Sequence, residues 1–354
     1  MSRETTYWLN NNVLVGFTDK RGTAWHYRAS DQGVEPNHYA GAIPVDDVRR
    51  RLFNWDPVEL PMYVRIPCEI ADADGMLDDG TPVVTRQVPN SKAIARSDTH
   101  EILGRFRDGY QPHSYQTWLL DSVADILDAD LHIGSAGLLR GGAVAWVSVE
   151  MADNVITPEG MTFRPYLLAT TSLDGTISTT YKRCCTFVVC DNTRDAALAE
   201  NTQQVKVRHS RYSSLKLGEA RASLDIVHSI ADDMTAEIAR LARIDVPDRA
   251  FDRFVDLWVP IPKGADKGQA LAAATRAQAT RDELRGMYRR DDRVAPWQGT
   301  ALGVSQLVNT WRQHNRPTRK TGMVERTSLD LLTGKTGAAD AQVLDVLDKV
   351  LATV

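Results

Sequence analysis

The chain has 354 residues, a formal net charge of -4 at pH 7, 43% hydrophobic residues and 25% charged residues. This composition is typical of globular proteins, so it argues against a disordered or fibrous class, and the length is sufficient for a large core or two lobes. No apolar stretch approaches the roughly 18 residues of a membrane span, and the start lacks the apolar core of a secretion signal; we therefore expect a cytoplasmic protein.

The first part of the chain alternates between strand and turn signals. A helix is predicted after Pro44, with acidic residues in its first turn, where the helix dipole favours them. Residues 69–81 are acidic and glycine-rich, which indicates an exposed loop. Alternating residues on both sides of Ser97–Thr99 predict a hairpin, and helical spacing over 113–128 predicts a helix packed across that sheet.

Two further hairpins are predicted between residues 133 and 193. Their turns are Gly141-Gly142 and Asp174-Gly175, since these positions need the positive φ that glycine adopts without steric cost. The alternation over 143–150 leaves one small apolar face and one mixed face. The run from Asp191 to Thr193 is expected to cap a following helix.

The fold class predicted from these patterns is α+β. One more short strand is expected at 204–210, and helical periodicity dominates from Leu217 onward. We expect a mixed α+β sheet region at residues 1–215, an antiparallel hairpin-built sheet with helices on one face. A mainly helical C-terminal region at residues 216–354 would pack on it.

Cysteine and acidic residues are candidates for metal binding or catalysis, but a structural role is the favoured interpretation for each. Cys184, Cys185 and Cys190 with His209 do not have the spacing of a zinc site, and adjacent strand residues point to opposite faces, so buried packing is favoured. Cys190 as a nucleophile at a helix start is a weaker alternative. Pairs of aspartates in predicted loops could bind magnesium, but solvent-exposed surface positions are the favoured interpretation. We expect no cofactor, no metal and no catalytic residue.

Basic residues interleaved with aromatic residues form the more informative set. Lysine and arginine neutralise phosphates, and tyrosine rings stack on unpaired bases, so this mixture suits single-stranded nucleic acid. The alternative is an ordinary solvated strand edge, where lysines discourage aggregation. The candidate nucleic-acid-binding residues are Arg140, Tyr181, Lys182, Arg183, Lys206, Arg208 and Tyr212.

An ordered series of short segments resembles the phage/plasmid-like protein family, a domain of unknown function (nine-three-two). The segments, spread over nearly the whole chain, are Ala24–His26, Tyr39–Pro44, Arg96–Thr99 with Gly104, Tyr110 and Pro112, Ala136–Gly142, Asp174-Gly175, Val188–Cys190 with Asn192-Thr193, Val207–His209, Gly299–Asn309 and Asn315–Pro317. The resemblance implies mobile-element DNA metabolism inside a bacterial host cell. It supplies no catalytic residue. A hairpin-rich sheet followed by a helix is also similar in outline to single-strand annealing proteins of the Rad fifty-two type.

These observations support a leading function and two alternatives. The leading hypothesis is a non-enzymatic protein that binds single-stranded DNA and assists annealing or recombination, as a homo-oligomer without membrane contact. The first alternative is a host-directed inhibitor or decoy that meets a protein partner and binds no nucleic acid. The second is a metal-dependent nuclease, which would need carboxylates that converge from distant segments.

Overall fold

The computed structural model describes residues 3–24, 27–124, 127, 131–151, 153–187, 192–195, 204–209, 227–262, 268–317 and 323–353. The α-helices that precede β6 are α1 (Arg3–Asn12), α2 (Thr18–Arg21), α3 (Val45–Arg51) and α4 (Ser122–Ala124), and a π-helical segment at Gln116–Asp121 runs directly into α4. The strands are β1 (Val13–Val15), β2 (Pro57–Pro67), β3 (Gly75–Met76), β4 (Pro82–Arg96), β5 (Ile102–Arg107), β6 (Leu131–Leu139), β7 (Val144–Met151), β8 (Val155–Ile156), β9 (Thr162–Ser172), β10 (Thr179–Phe187), β11 (Asn192–Asp195) and β12 (Gln204–Val207). The C-terminal helices are α5 (Val227–Ala242), α6 (Asp248–Trp258), α7 (Gly268–Arg290), α8 (Ala301–Thr310), α9 (Met323–Leu332) and α10 (Lys335–Leu351).

The main sheet is antiparallel and confirms both predicted hairpins. Its strand order is β1-β6-β7-β9-β10, with β11 and β12 both paired to β10 and β8 paired to β9. The β6–β7 turn contains Gly141 and Gly142 at φ 68° and 99°, and the β9–β10 turn contains Gly175 at φ 77°. These positive φ values explain why glycine stands at each turn. The predicted α+β class is confirmed.

The second sheet is a long hairpin arm built from β2, β3, β4 and β5. The 15-residue strand β4 pairs with all three of the others. Its end nearest the body is buried at Ala93–Ala95, whereas the outer part exposes apolar side chains such as Tyr63 and Ile66. The predicted turn at Ser97–Thr99 and the predicted loop at 69–81 both occur as exposed structure on this arm.

The main sheet is covered on both faces. On the inner face, Val147, Leu167 and Tyr181 belong to the large core that also contains residues of α5, α6, α7, α8 and α10. On the outer face, Trp146 and Leu168 pack in a smaller cluster with residues of α1 and α9. The predicted alternation of β7 is confirmed, and the mixed face is buried as well, because α1 and α9 cover it.

One expectation about secondary structure differs from the structure. Asn192 and Thr193 do not cap a helix: they begin β11, which pairs with β10 through Phe187↔Asn192 and Thr186↔Thr193. This pairing satisfies the backbone groups that β10 would otherwise leave open at its edge. The expected boundary at residues 215/216 and the expected cap residue Asp191 lie outside the described residues.

The predicted mainly helical character of the C-terminal region is confirmed. The structure places α6 at Asp248–Trp258 and α7 at Gly268–Arg290, and the side-chain hydroxyl of Thr300 accepts a hydrogen bond from Gly303 N at the start of α8. In the described part of the chain, no helix has the length and apolar character required to cross a membrane.

Candidate nucleic-acid interface

Three of the predicted site residues, Tyr181, Lys182 and Arg183, are consecutive on β10 and lie on two different faces of the sheet. Tyr181 points into the inner core, where it is 2% exposed and donates its hydroxyl hydrogen to the carbonyl oxygen of Trp118. Its ring therefore has no exposed face, which differs from the stacking position expected from the sequence. The cause is the period of two along a strand: a neighbour of the outward-facing Lys182 points inward.

Arg183 shares the inner side of the sheet with Tyr181. Its guanidinium forms an ion pair with the carboxylate of Asp233 on α5. Because Asp233 compensates this positive charge within the molecule, Arg183 serves to hold α5 against the sheet. It does not share a surface with Lys182.

Lys182 and Lys206 meet on the outer face of the sheet. Lys206 is the cross-strand partner of Thr180, which places it on the same face as Lys182 two residues further along β10. Both lysines line a cavity of about 210 Å³, which we call the lysine cavity. Its other lining residues are Thr176, Ile177, Ser178, Thr180, Leu332, Thr333 and Gly334.

The lysine cavity combines positive charge with hydroxyl groups. Lys182 is 6% exposed, and its ammonium donates to the carbonyl oxygen of Leu331 at the C-terminal end of α9, where the helix dipole favours a cation. The side chain of Lys206 is exposed. Threonine and serine side chains complete the wall, and the described lining residues include no carboxylate.

The remaining predicted residues lie around this cavity or beyond the described chain. Arg140 forms an ion pair with Asp174 at 3.0 Å and lies 3.4 Å from Oγ1 of Thr176, a lining residue, so it stands at the rim. Arg208 follows β12 and is exposed. Tyr212 lies outside the described residues. The structure thus brings together Arg140, Lys182 and Lys206.

A second cavity lies on the same outer face, and the sequence analysis did not identify it. Its volume is about 270 Å³, and we call it the arginine cavity. Arg21 of α2 lies 2.8 Å from Oε2 of Glu150 on β7, and Nη1 of Arg164 on β9 lies 3.8 Å from the same oxygen. Ser148 donates to Oε1 of Glu150 at 3.0 Å. Leu332 lines both cavities.

Two histidines and two threonines form a buried hydrogen-bonded chain behind the β9–β10 turn. Nδ1 of His113 lies 2.6 Å from Oγ1 of Thr179, which lies 2.7 Å from Oγ1 of Thr171. Oγ1 of Thr171 in turn lies 3.0 Å from Nε2 of His209. Burial lowers the pKa of His113 to about 3, with a further contribution from His209, and burial lowers the pKa of His209 to about 4. Both imidazoles are therefore neutral at pH 7.

The same two histidines belong to a continuous stack of aromatic rings. The order is Phe106, Tyr110, His209, His113 and Trp118, with successive ring centroids 3.7 to 5.0 Å apart and interplanar angles of at most 16°. Stacked rings at this spacing contribute stability beyond the area they bury. The stack joins the arm, through Phe106 of β5, to the turn at the end of the main sheet.

The cysteines and histidines do not form a metal centre in the described part of the chain. Cys184 and Cys185 are buried and belong to the outer and inner clusters, respectively. No group of three histidine, cysteine, aspartate or glutamate side chains among the described residues is placed to hold a metal ion. Cys190 lies outside the described residues.

Comparison with known families places the chain in a group defined by sequence. The model of the family described as "Domain of unknown function (DUF932)" matches residues 102–331, which is well over half of the chain. The chain belongs to the DUF932 family. The DUF932 match contains Glu150, Arg164, Lys182 and Lys206, whereas Arg21 precedes it. No curated protein and no solved structure matches the chain significantly.

Proposed function

We propose that this DUF932 protein binds single-stranded DNA and assists annealing or recombination in the DNA metabolism of a phage or plasmid. The observation that carries the proposal is the lysine cavity, where Lys182 and Lys206 converge from adjacent strands among hydroxyl groups. Lysine ammonium groups and serine or threonine hydroxyls are standard contacts to DNA phosphates.

The charge distribution supports a phosphate as the group that this surface accepts. The net charge of the chain is -4, so attraction to DNA has to come from a local site. Lys182, Lys206 and the rim residue Arg140 supply positive charge, and the described lining residues of the cavity include no carboxylate. Arg140 forms an ion pair with Asp174. Exposed Arg208 extends the same region beyond β12.

The order of the elements offers weaker support. An antiparallel hairpin-built sheet is followed by a long helix, α5, and this order is similar in outline to annealing proteins of the Rad fifty-two type. This likeness is an analogy at the level of the fold. Self-association belongs to the proposal, since proteins that anneal two strands act on both at once.

The experiment is a binding titration with a fluorescently labelled oligothymidine at low and at moderate salt. We expect binding at low salt that weakens with added salt, and a loss of affinity for Lys206→Gln of about three- to tenfold. Lys349→Gln is the matched control, because it removes the same charge from an exposed position on α10. Annealing of two complementary labelled strands tests the second half of the proposal.

Two outcomes would reject this function. Absence of single-strand binding at every salt concentration would favour the host-directed protein partner, which requires no nucleic acid. Magnesium-dependent degradation of the oligonucleotide would favour the nuclease. Equal affinities of wild type, Lys206→Gln and Lys349→Gln would place any DNA site away from the lysine cavity.

A further inference from the structure

We propose that the arginine cavity is a separate binding site for a small organic anion, a carboxylate or phosphate carried on an apolar body. The cavity lies between the outer face of β6, β7 and β9 and the end of α9. It does not depend on the DNA-binding function, because none of the lysines of the other cavity lines it. Its charges, hydrogen-bond donors and walls each point to this ligand class.

The described lining residues of the arginine cavity include more cationic than anionic side chains. Two guanidiniums, from Arg21 and Arg164, line it with one carboxylate, that of Glu150. Side-chain exposures of 16%, 10% and 8%, respectively, show that all three groups are largely removed from water. Guanidinium groups in a largely dry site favour an anionic ligand, because charge-assisted hydrogen bonds are strong there.

Arg21 has a buried hydrogen-bond donor that no described residue satisfies. Its Nη2 lies 2.8 Å from Oε2 of Glu150, but its Nε is buried and has no hydrogen-bond acceptor among the described residues. The stem is held in place, since the guanidinium carbon lies 4.6 Å from the centre of the Phe17 ring. A buried donor without a partner costs free energy that a bound anion recovers.

The rest of the wall suits an apolar body of moderate size. Trp146 and Tyr166 contribute aromatic rings, and four aliphatic residues complete the lining: Val15, Leu168, Leu331 and Leu332. Two hydroxyls, of Ser135 and Ser148, lie beside the charges. Specific small-molecule sites commonly combine mostly apolar walls with a few polar groups of this kind.

The test is isothermal titration calorimetry of the full chain with phenyl phosphate and with benzoate. Benzyl alcohol serves as the neutral analogue and inorganic phosphate as the analogue without an apolar body. We expect one of the two aromatic anions to bind with a stoichiometry of one and at least about tenfold more tightly than either analogue. The stronger of the two identifies the anionic group.

Variants locate the binding. Arg21→Gln should weaken it by at least about tenfold, since a charge-assisted hydrogen bond is lost. The double variant Arg21→Gln/Glu150→Gln removes both members of the ion pair, so it keeps the net charge of the protein while it removes the contact between the anion and Arg21. Lys20→Gln is the matched control, because Lys20 precedes Arg21 in the chain and is half exposed.

The following results would overturn the proposal. Binding of neither aromatic anion, equal binding of benzyl alcohol, or unchanged affinity in the double variant would each show that the cavity does not recognise anions. These results are independent of oligothymidine binding, so failure of this site and failure of the DNA-binding function can be told apart.

Discussion

The carboxylate of Glu150 occupies the space above Gly134 on the neighbouring strand. A Cβ atom at Gly134 would lie 1.8 Å from Oε1 of Glu150, a distance at which the two cannot coexist. The glycine of β6 thus allows a charged side chain of β7 to lie across the sheet and meet Arg21. A similar relationship joins Gly137 to Trp146, because a Cβ atom at Gly137 would lie 2.3 Å from Cη2 of the Trp146 ring.

The first prediction is that Gly134→Ala destabilises the protein by displacing Glu150. Displacement separates Glu150 from Arg21 and leaves charges without their partners in a largely dry site, so we expect a loss of about 2 to 4 kcal/mol in the free energy of unfolding. Chemical denaturation measures it. Gly109→Ala is the control, because a Cβ at Gly109 has no neighbour within 4 Å. A loss no larger than that of the control would contradict the geometry.

The second prediction concerns the dependence of stability on pH. Histidine has a pKa near 6.5 in the unfolded chain, whereas burial lowers the folded pKa of His113 to about 3 and that of His209 to about 4. Between pH 4 and 6.5 the unfolded chain therefore binds more protons than the folded chain, and stability falls as the pH is lowered. From pH 6.5 to 5, His113 alone should account for about 2 kcal/mol.

Denaturation curves at several pH values test this dependence. His113→Asn removes one imidazole of the aromatic stack, so the loss of stability between pH 6.5 and 5 should become smaller than in the wild type. His100→Asn is the matched control, since His100 is exposed at a turn with φ 58°, which asparagine tolerates. Equal pH dependence of the two variants would show that His113 is not the titrating group.

The third prediction is that Tyr181 contributes to the stability of the fold and not to DNA binding. Tyr181→Phe removes the hydroxyl that donates to Trp118 and leaves a buried carbonyl oxygen without this donor. We expect a loss of about 1 to 2 kcal/mol in the free energy of unfolding and unchanged affinity for oligothymidine. A weakened affinity with normal stability would return Tyr181 to the role of a stacking residue.

The sequence could predict the hairpins because their signals are local. Gly141-Gly142 and Asp174-Gly175 specify positive φ within two residues, and the alternation from Val144 to Glu150 distinguishes two faces without any distant contact. The alternation of side chains along a strand also limits which of the candidate residues on β10 can share a surface. Tyr181, Lys182 and Arg183 are consecutive on a strand, so they cannot all face one surface.

The arginine cavity was beyond such local inference. Arg21, Glu150 and Arg164 come from a short helix and two strands, and α9 closes the cavity with Leu331 and Leu332. No short-range pattern links residues so far apart in the chain. The one available signal was the mixed face of β7, where Trp146, Ser148 and Glu150 alternate with valines. It indicated polar groups on that face, but neither that helices cover the face nor which residues are their partners.

The fourth prediction is a change in the salt dependence of DNA binding at the lysine cavity. On single strands, each phosphate that a protein contacts contributes about 0.7 to the slope of the logarithm of affinity against the logarithm of salt concentration. If Lys206 contacts one phosphate, Lys206→Gln should reduce the magnitude of this slope by about 0.7, and affinities at high salt should converge with those of the wild type. Titrations with oligothymidine over a series of salt concentrations measure the slope. Lys349→Gln should leave it unchanged, because Lys349 is exposed on α10 and does not line the lysine cavity. A parallel decrease in slope for both variants would indicate a diffuse effect of net charge, and the lysine cavity would then not be the site of phosphate contact.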